Sequence, residues 1–291
     1  MANEEEKTMT KVLACIDGST YATSICDHAA WYAARAGGSV RVLHVIDRSE
    51  TTRARIDLSG SVGLGARDSL LEELAQADEI QGRLAQEHGR ALLDGAAARL
   101  KENGVENVEL FHRHGEVAET VHEFEATADI VVIGKRGESG NFAPGHLGSK
   151  VERVVRGSVR PILAVPRKYI PFSRLVVAFD GGDSSRAALE RVVADPAFNE
   201  LEVLVVMAGV ESSETNRHMD WARGVLTPRA RSHVELRAGE AETVIMTALR
   251  DGAGDLLVMG AYGHSRIREL LVGSTTTAML RQSRVPVLLF R

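Results

Sequence analysis

Short runs of consecutive apolar residues alternate along this chain with longer stretches in which apolar residues recur at helical spacing. Continuous apolar runs bounded by polar residues are typical of strands that are buried on both faces of a parallel sheet. We expect strands at 11–17, 40–46, 129–134 and 160–165 in the first half, and at 174–180, 201–207, 255–260 and 285–290 in the second. Strands that alternate with helices predict an α/β fold with open parallel sheets, right-handed crossovers and helices on both faces.

The order of these elements occurs twice, which indicates a tandem repeat. In each half the first strand ends in an Asp-Gly turn, at Asp17 and at Asp180. A Gly-Glu motif opens a later helix in each half, within residues 115–121 and residues 239–244. The two halves therefore share the order of their predicted elements and motifs, and not only a composition.

The halves differ in the connection that follows the second strand. In the first half this connection is much longer, and residues 68–103 have a helical pattern. Its apolar positions share one side of the predicted helix: Leu70, Leu71, Leu74, Ala77, Ile80 and Leu84. We interpret this stripe as core in preference to a partner interface, with a lid over the first half as a further alternative. The second half keeps one short helix at 213–226. We predict two domains, residues 1–166 with the long helical insertion and residues 172–291.

Charge and hydropathy exclude several classes of partner. Lys and Arg number 35 against 40 Asp and Glu, which gives a formal net charge of -5. Nucleic acid is therefore not expected, because phosphate backbones are bound mainly by clustered Lys and Arg. No apolar run approaches the roughly 20 residues that cross a bilayer, so no membrane contact is predicted. The acidic start of the chain lacks the features of a secretory signal, which predicts a cytoplasmic protein.

A glycine-containing loop follows the fourth strand of the second half and carries the most informative chemistry. The loop and the helix after it contain Gly260, Gly263, Gly273, Ser274 and Thr275. Glycines allow backbone N–H groups to approach a ligand, and a helix N-terminus offers free donors and a favourable dipole for phosphate. Ligands of open α/β sheets bind beyond the carboxyl ends of the strands, so Asp180 is expected near this loop. The arrangement predicts a nucleotide site.

The spacing G-x-x-G-x9-G-S and the Asp-Gly turn resemble the universal stress protein family, whose ATP-binding members carry this loop and an Asp after the first strand. The resemblance covers nearly the whole chain, twice, and implies a Rossmann-like fold of the adenine nucleotide alpha hydrolase-like type. It implies that phosphates and ribose are held by Gly260, Gly263, Gly273 and Ser274. It also implies that Asp180 faces the adenine or ribose and that Val206 lines the base pocket. A homodimer is implied because family members commonly dimerise, and the last strand of each repeat would extend a sheet across the interface.

The first half carries a related loop with one more residue between its glycines. The corresponding candidates are Asp17, Val45, Gly134, Gly137, Gly148 and Ser149. Lys135 and Arg136 lie between the first two glycines and would favour an anion. The alternative for both halves is that the glycines only shape a tight strand-to-helix connection. In that case Ser149 and Ser274 would be N-caps and the two Asp residues would be turn formers.

His112 and His114 are two residues apart on the predicted third strand of the first half. Because side chains alternate along a strand, the two imidazoles are expected on one face. Such a pair can bind a metal ion. We prefer the simpler interpretation, which is an exposed strand face.

These patterns favour a stress-response regulatory or binding protein that holds ATP, with Mg²⁺, or another adenine nucleotide. It would act on an unidentified protein partner through occupancy of the site. We do not expect an enzyme, because neither a G-x-x-x-x-G-K-S/T loop nor a G-x-S-x-G elbow is present. Two alternatives remain open. One is a slow ATP-hydrolysing or nucleotidyl-transferring enzyme in which Asp17 or Asp180 assists a metal or water; the other is a nucleotide-free interaction scaffold.

Overall fold

The computed structural model describes residues 9–47, 67–137, 148–252, 254–261 and 273–291. The strands are β1 (Thr10–Ile16), β2 (Gly38–Asp47), β3 (Val108–Gly115), β4 (Ile130–Gly134), β5 (Ile162–Val165), β6 (Arg174–Ala178), β7 (Glu202–Ala208), β8 (Ser232–Arg237), β9 (Leu256–Gly260) and β10 (Val287–Phe290). The α-helices are α1 (Ala22–Ala36), α2 (Arg67–Glu102), α3 (Val117–Glu125), α4 (Ser149–Gly157), α5 (Asp183–Ala194), α6 (Ser213–Leu226), α7 (Ala241–Arg250) and α8 (Ser274–Gln282). The predicted strands and helices begin and end within two residues of these bounds.

One sheet of ten strands runs through the molecule in the order β3-β2-β1-β4-β5-β10-β9-β6-β7-β8. Each half is parallel, which confirms the α/β class with two tandem parallel sheets. The two sheets join where β5 pairs antiparallel with β10, with Leu163 opposite Leu288. The last strands of the two repeats therefore extend the sheet within the chain, and not across a dimer interface as we expected from the resemblance. We call β1–β5 with their helices the first repeat and β6–β10 with theirs the second repeat.

Hydrophobic clusters cover both faces of this sheet. The central strands have no polar face: all five residues of β4 and all four residues of β5 and of β10 are buried. Parallel strands between two helical layers need this composition, because both faces must exclude water. The cluster around α1 and α5 contains side chains of both repeats, so the repeats share one core.

Further contacts join the repeats on the face of the sheet that carries α1. The Tyr32 hydroxyl donates a hydrogen bond to the carboxylate of Asp195. The ring of Trp31 packs against Phe172 of the linker between β5 and β6 (residues 166–173) at 4.5 Å, and against Phe198 of the second repeat at 6.2 Å between centroids. Burial of these aromatic rings adds to the shared core, because large rings remove much apolar area from water.

The long helix α2 packs against the first repeat through its C-terminal half. Leu93, Ala96 and Leu100 are buried, whereas Ile80 and Leu84 are 52% and 55% exposed. Our prediction that the apolar stripe faces the core is therefore wrong for Ala77, Ile80 and Leu84, which are all exposed; the side chains of Leu70, Leu71 and Leu74 lie outside the described residues. The buried positions are separated by four and by three residues. If this spacing is continued towards the N-terminus of α2, it does not fall on Ile80 or Leu84. No helix among the described residues is long and apolar enough to cross a membrane.

Candidate functional site

The first repeat brings three of its candidate residues together at the carboxyl edge of the sheet. A Cβ atom added to Gly137 would lie 2.9 Å from Asp17 Oδ2, and one added to Gly148 would lie 3.6 Å from the Gly137 nitrogen. At Gly134 an added Cβ would lie 2.8 Å from Tyr21 Cβ. A side chain at Gly134 or at Gly137 would therefore displace its neighbours. The glycines hold the backbone close to Asp17, as a ligand-binding turn requires.

Strand register places the fourth candidate of this repeat beside the same carboxylate. Ile16 of β1 pairs with His44 of β2, so Asp17 and Val45 are neighbours one position further on. Val45 is partly buried and packs against the cluster beneath α3 and α4. Asp17 Oδ1 accepts a hydrogen bond from the Ser19 nitrogen at 3.1 Å, so Asp17 does form the predicted turn.

Both helices that follow the glycine loops begin without a side-chain cap. The N-cap residues are Gly148 for α4 and Gly273 for α8, and neither helix has a side-chain capping hydrogen bond. Ser149 and Ser274 are the first helical residues and are exposed. The alternative in which these serines are N-caps is therefore wrong. An N-terminus without a side-chain cap leaves N–H donors for an anion.

In the second repeat Asp180 organises the turn after β6. Its Oδ1 accepts hydrogen bonds from the Gly182 nitrogen at 2.8 Å and from Ser185 Oγ at 2.6 Å. Gly181 between them has a φ of +78°, and an added Cβ would lie 1.9 Å from His218 Nδ1 of α6. Only glycine fits this position, because both the backbone conformation and the imidazole exclude a side chain.

The ends of the second glycine loop also meet. The Gly273 nitrogen lies 3.5 Å from the Ala261 oxygen, and Thr276 Oγ1 donates to the Gly260 oxygen at 3.3 Å. A Cβ added to Gly260 would lie 2.4 Å from Ser184 Oγ at the start of α5. Gly260 and Gly273 thus lie at one edge of the sheet, near the Asp180 turn; Gly263 lies outside the described residues.

The remaining candidates of the second repeat differ in exposure. Thr275 is partly exposed in the first turn of α8, where its hydroxyl is near the same edge. Val206 is buried and pairs with Ala178 next to the Asp180 turn. Its oxygen accepts a hydrogen bond from the Phe179 nitrogen at 3.0 Å.

Two ion pairs join the start of α4 to the carboxyl ends of β2 and β3. Lys150 Nζ lies 3.0 Å from Asp47 Oδ2, and the Asp47 side chain is 6% exposed. Arg153 lies 2.9 Å from Glu116 Oε1. Strand register places Val210 of the second repeat where the first has Asp47, so the second repeat has no counterpart of the Lys150–Asp47 pair. The two sites therefore differ in charge although they share a backbone plan.

Lys135 does not face the first-repeat site. Its ammonium donates to the Ser283 oxygen at 2.8 Å, to Ser283 Oγ at 2.6 Å and to the Val285 oxygen at 2.7 Å. These three acceptors belong to the second repeat. Burial lowers the pKa of Lys135 to about 7. Our prediction that Lys135 favours an anion in the glycine loop is wrong, because this side chain links the two repeats; for Arg136 it stays a prediction.

The model of the universal stress protein family matches residues 8–166 and again residues 171–291. The chain belongs to the universal stress protein family. Universal stress protein Slr1230 from Synechocystis sp. is 34% identical over 287 residues, which cover 97% of this chain and 100% of that protein.

Solved structures of universal stress proteins share the fold over nearly the whole chain. A universal stress protein from Archaeoglobus fulgidus has a TM-score of 0.66 at 19% identity, covering 98% of this chain and 99% of its own. A putative universal stress protein from Pseudomonas aeruginosa has a TM-score of 0.62 at 15% identity, covering 98% and 94%. These likenesses confirm the tandem universal stress protein fold of the chain.

Sequence reasoning missed two residues that the fold brings to the candidate sites. Asp47 ends β2 and is paired with Lys150, and His218 lies against Gly181 although 37 positions separate them. Asp47 directly follows the apolar run of a predicted strand, where a carboxyl-edge residue is a reasonable candidate. No local sequence pattern indicated His218, because its contact with the Gly181 turn depends on how α6 packs in the fold.

Proposed function

We propose that this universal stress protein binds ATP or another adenine nucleotide, with Mg²⁺, at the carboxyl edge of the second repeat, and that the first repeat is a second site. The observation that carries this proposal is the pairing of an Asp-Gly turn with a glycine-capped helix. In each repeat a carboxylate, at Asp17 or Asp180, lies near a helix whose N-cap, Gly148 or Gly273, leaves the N–H groups without a side-chain partner.

The residues have distinct roles in this proposal. Backbone N–H groups at the start of α4 and of α8 bind phosphate oxygens, and the exposed hydroxyls of Ser149 and Ser274 add donors. Gly137 and Gly263 allow the loop backbone to approach the phosphates. Mg²⁺ is held mainly by phosphate oxygens, as is usual for this ion.

The base and ribose have their own contacts. Asp17 and Asp180 accept hydrogen bonds from ribose hydroxyls or adenine, and Val45 and Val206 border the base. Gly134 and Gly260 end the fourth strand of each repeat, so they set where the loop leaves the sheet.

We further propose that the protein acts by occupancy, as a cytoplasmic regulatory protein, and not by turnover. A bound nucleotide favours one arrangement of the glycine loop, and a partner protein responds to that arrangement. A homodimer remains part of this proposal, but it needs a surface other than β5 and β10, because both are inner strands of the sheet.

Nucleotide released from denatured protein tests the proposal. Freshly purified protein is denatured, and any released nucleotide is identified and quantified per chain. The same is done for Gly273→Val and Gly148→Val, which each block one helix N-terminus. Matched controls are Gly224→Val in α6 and Gly82→Val in α2, where an added Cβ meets nothing within 4 Å.

Three outcomes decide between the alternatives. ATP that is lost in Gly273→Val and kept in Gly224→Val supports a site in the second repeat. ATP that is lost in Gly148→Val and kept in Gly82→Val supports a site in the first. Absence of nucleotide, with no rise in melting temperature on addition of ATP and Mg²⁺, overturns the proposal and favours a scaffold, because ligands that bind the native state raise its stability.

A further inference from the structure

Three histidines line up on the two outermost strands of the first repeat. His44 of β2 is directly opposite His112 of β3 in the parallel register, and their ring centroids are 5.1 Å apart. His114 stacks on the other side of His112 at 6.0 Å. The predicted sharing of one face by His112 and His114 is confirmed. The exposed-face interpretation is wrong for His112, which is partly covered, and holds for His114.

Helix α2 lies directly on this histidine cluster. A Cβ atom added to Gly89 would lie 2.4 Å from His112 Nε2 and 2.9 Å from His44 Nδ1. The helix approaches this closely only because residue 89 has no side chain. His44 is 7% exposed, and in the part of the chain that the structure describes neither of the two nitrogens has a hydrogen-bond partner.

The groups around the cluster are mostly basic. His44 faces His112 and His114 of β3, His88 of α2 and Asp17 after β1. Burial, then His112, lowers the pKa of His44 to about 4, although Asp17 opposes this. Burial lowers the pKa of His112 as well, and His114 and Arg90 of α2 add to the effect.

The second repeat provides an internal comparison. In strand register Met207 of β7 corresponds to His44, and it pairs with Leu236 of β8. The fold therefore accepts a methionine and a leucine at the place where the first repeat has two histidines. Buried nitrogens without partners are unfavourable relative to such an apolar pair, so packing alone does not account for the histidines.

A metal ion does not explain the cluster. Over the described ranges, no group of three or more His, Cys, Asp or Glu side chains is arranged to hold one. An imidazole nitrogen also binds a proton, and His is the side chain whose ordinary pKa lies closest to neutrality.

We propose that the His44–His112 pair is an acid-sensitive contact that holds α2 on β2 and β3, and that protonation of the pair releases the helix. Protonation of either neutral imidazole places a buried positive charge beneath Gly89 and next to His88 and Arg90. The charge gains solvation and loses this repulsion when α2 moves away. Strand β2 also carries Val45 and Asp47, so release of the helix acts on the edge of the first repeat.

The direction of the pH effect follows from the two states. In the released state the imidazoles return towards the ordinary pKa of 6.5, whereas the pKa of packed His44 is about 4. The released state therefore binds more protons between these values, and release increases as the pH falls below 6.5. The helix stays packed at neutral pH.

Hydrogen exchange at about pH 7 and about pH 5, corrected for the intrinsic exchange rate, tests this inference. We expect the opening of residues 89–102 to rise on the order of tenfold at the lower pH, while residues 213–226 of α6 do not respond. His44→Met/His112→Leu, which copies the pair of the second repeat, should abolish the response. His233→Val, on exposed β8, is the control and should leave the response unchanged.

Either of two results overturns the proposal. One is a corrected opening of α2 that is equal at both pH values in the unmodified protein; the other is a full response in the double variant. If the double variant does not fold, His112→Leu alone serves the test. Because it removes one of the two protons and the repulsion on His44, a reduced response supports the proposal and an unchanged one contradicts it.

Discussion

Lys135 of the first repeat places its ammonium on both the carbonyl and the hydroxyl oxygen of Ser283 in the second. The contact is buried, and a third bond to the Val285 oxygen completes the set of three donors. Lys135 directly follows Gly134 of the first candidate site, and its side chain stabilises the junction between the repeats. The junction between the repeats therefore lies directly next to the end of β4.

Replacement of this lysine tests the strength of the junction. Lys135→Met should lower the free energy of unfolding by about 1–3 kcal/mol, because it leaves buried oxygens without a donor. Urea titration measures the effect, and Lys168→Met on the exposed linker is the control, with an expected change within about 0.5 kcal/mol. A loss no larger than that of the control would show that water replaces the ammonium.

The Gly181 turn of the second repeat should tolerate no side chain. Gly181→Ala has to adopt a φ of +78° beneath His218, so we expect a loss of about 1–2 kcal/mol in unfolding free energy and weaker nucleotide binding. Gly224→Ala in the last turn of α6 is the matched control and should be neutral or stabilising by up to about 1 kcal/mol. Equal effects of the two substitutions in thermal unfolding would contradict this account.

The ion pair between Lys150 and Asp47 should matter more than the other pairs of α4. Lys150→Met leaves the buried Asp47 carboxylate without its cation, at an expected cost of about 1–3 kcal/mol. Arg156→Met removes an exposed pair with Glu152 in the same helix and should cost within about 0.5 kcal/mol. Urea titration compares the two, and nucleotide release should fall in Lys150→Met only for the first repeat.

His28 should contribute to acid sensitivity of the whole fold. Burial lowers its pKa to about 4 from an ordinary 6.5, and its ring packs against Tyr169 and Phe172 of the linker. The unfolded state therefore binds the extra proton, and stability is lost as the pH falls from 6.5 towards 4. We expect a global loss of roughly 2–3 kcal/mol over this range from this group.

His28→Gln measures that contribution. Unfolding titrations at several pH values should have a smaller pH dependence in the variant than in the unmodified protein. His233→Gln, in an exposed position, should change nothing. An identical slope in His28→Gln would assign the acid sensitivity to other groups.

The elements were predictable because their signals are local. The apolar runs that become β4 and β9 are too short and too continuous for exposed segments, and α6 has the predicted bounds of residues 213 and 226. Because the elements occur twice, the pattern in one half supported the assignment of the same element in the other. The Asp17 and Asp180 turns were predictable for the same reason, since an Asp-Gly step after a strand is a local turn signal.

Contacts between distant segments were not predictable from one sequence. The pairing of Leu163 with Leu288, the three acceptors of Lys135 and the meeting of His44 with His112 depend on how the elements pack. Periodicity also misassigned Ile80 and Leu84, because it finds an apolar stripe without showing what lies opposite.

The antiparallel junction of β5 and β10 has a consequence for how the protein meets its surroundings. Strands of the first repeat run one way and strands of the second run the other, so their carboxyl ends emerge at opposite rims of one sheet. Two ligands bound there would be out of each other's reach, and two partners could attach at once without collision. In the proposed function the two ends would report separately, and they would be coupled through the strands between them and through the shared core.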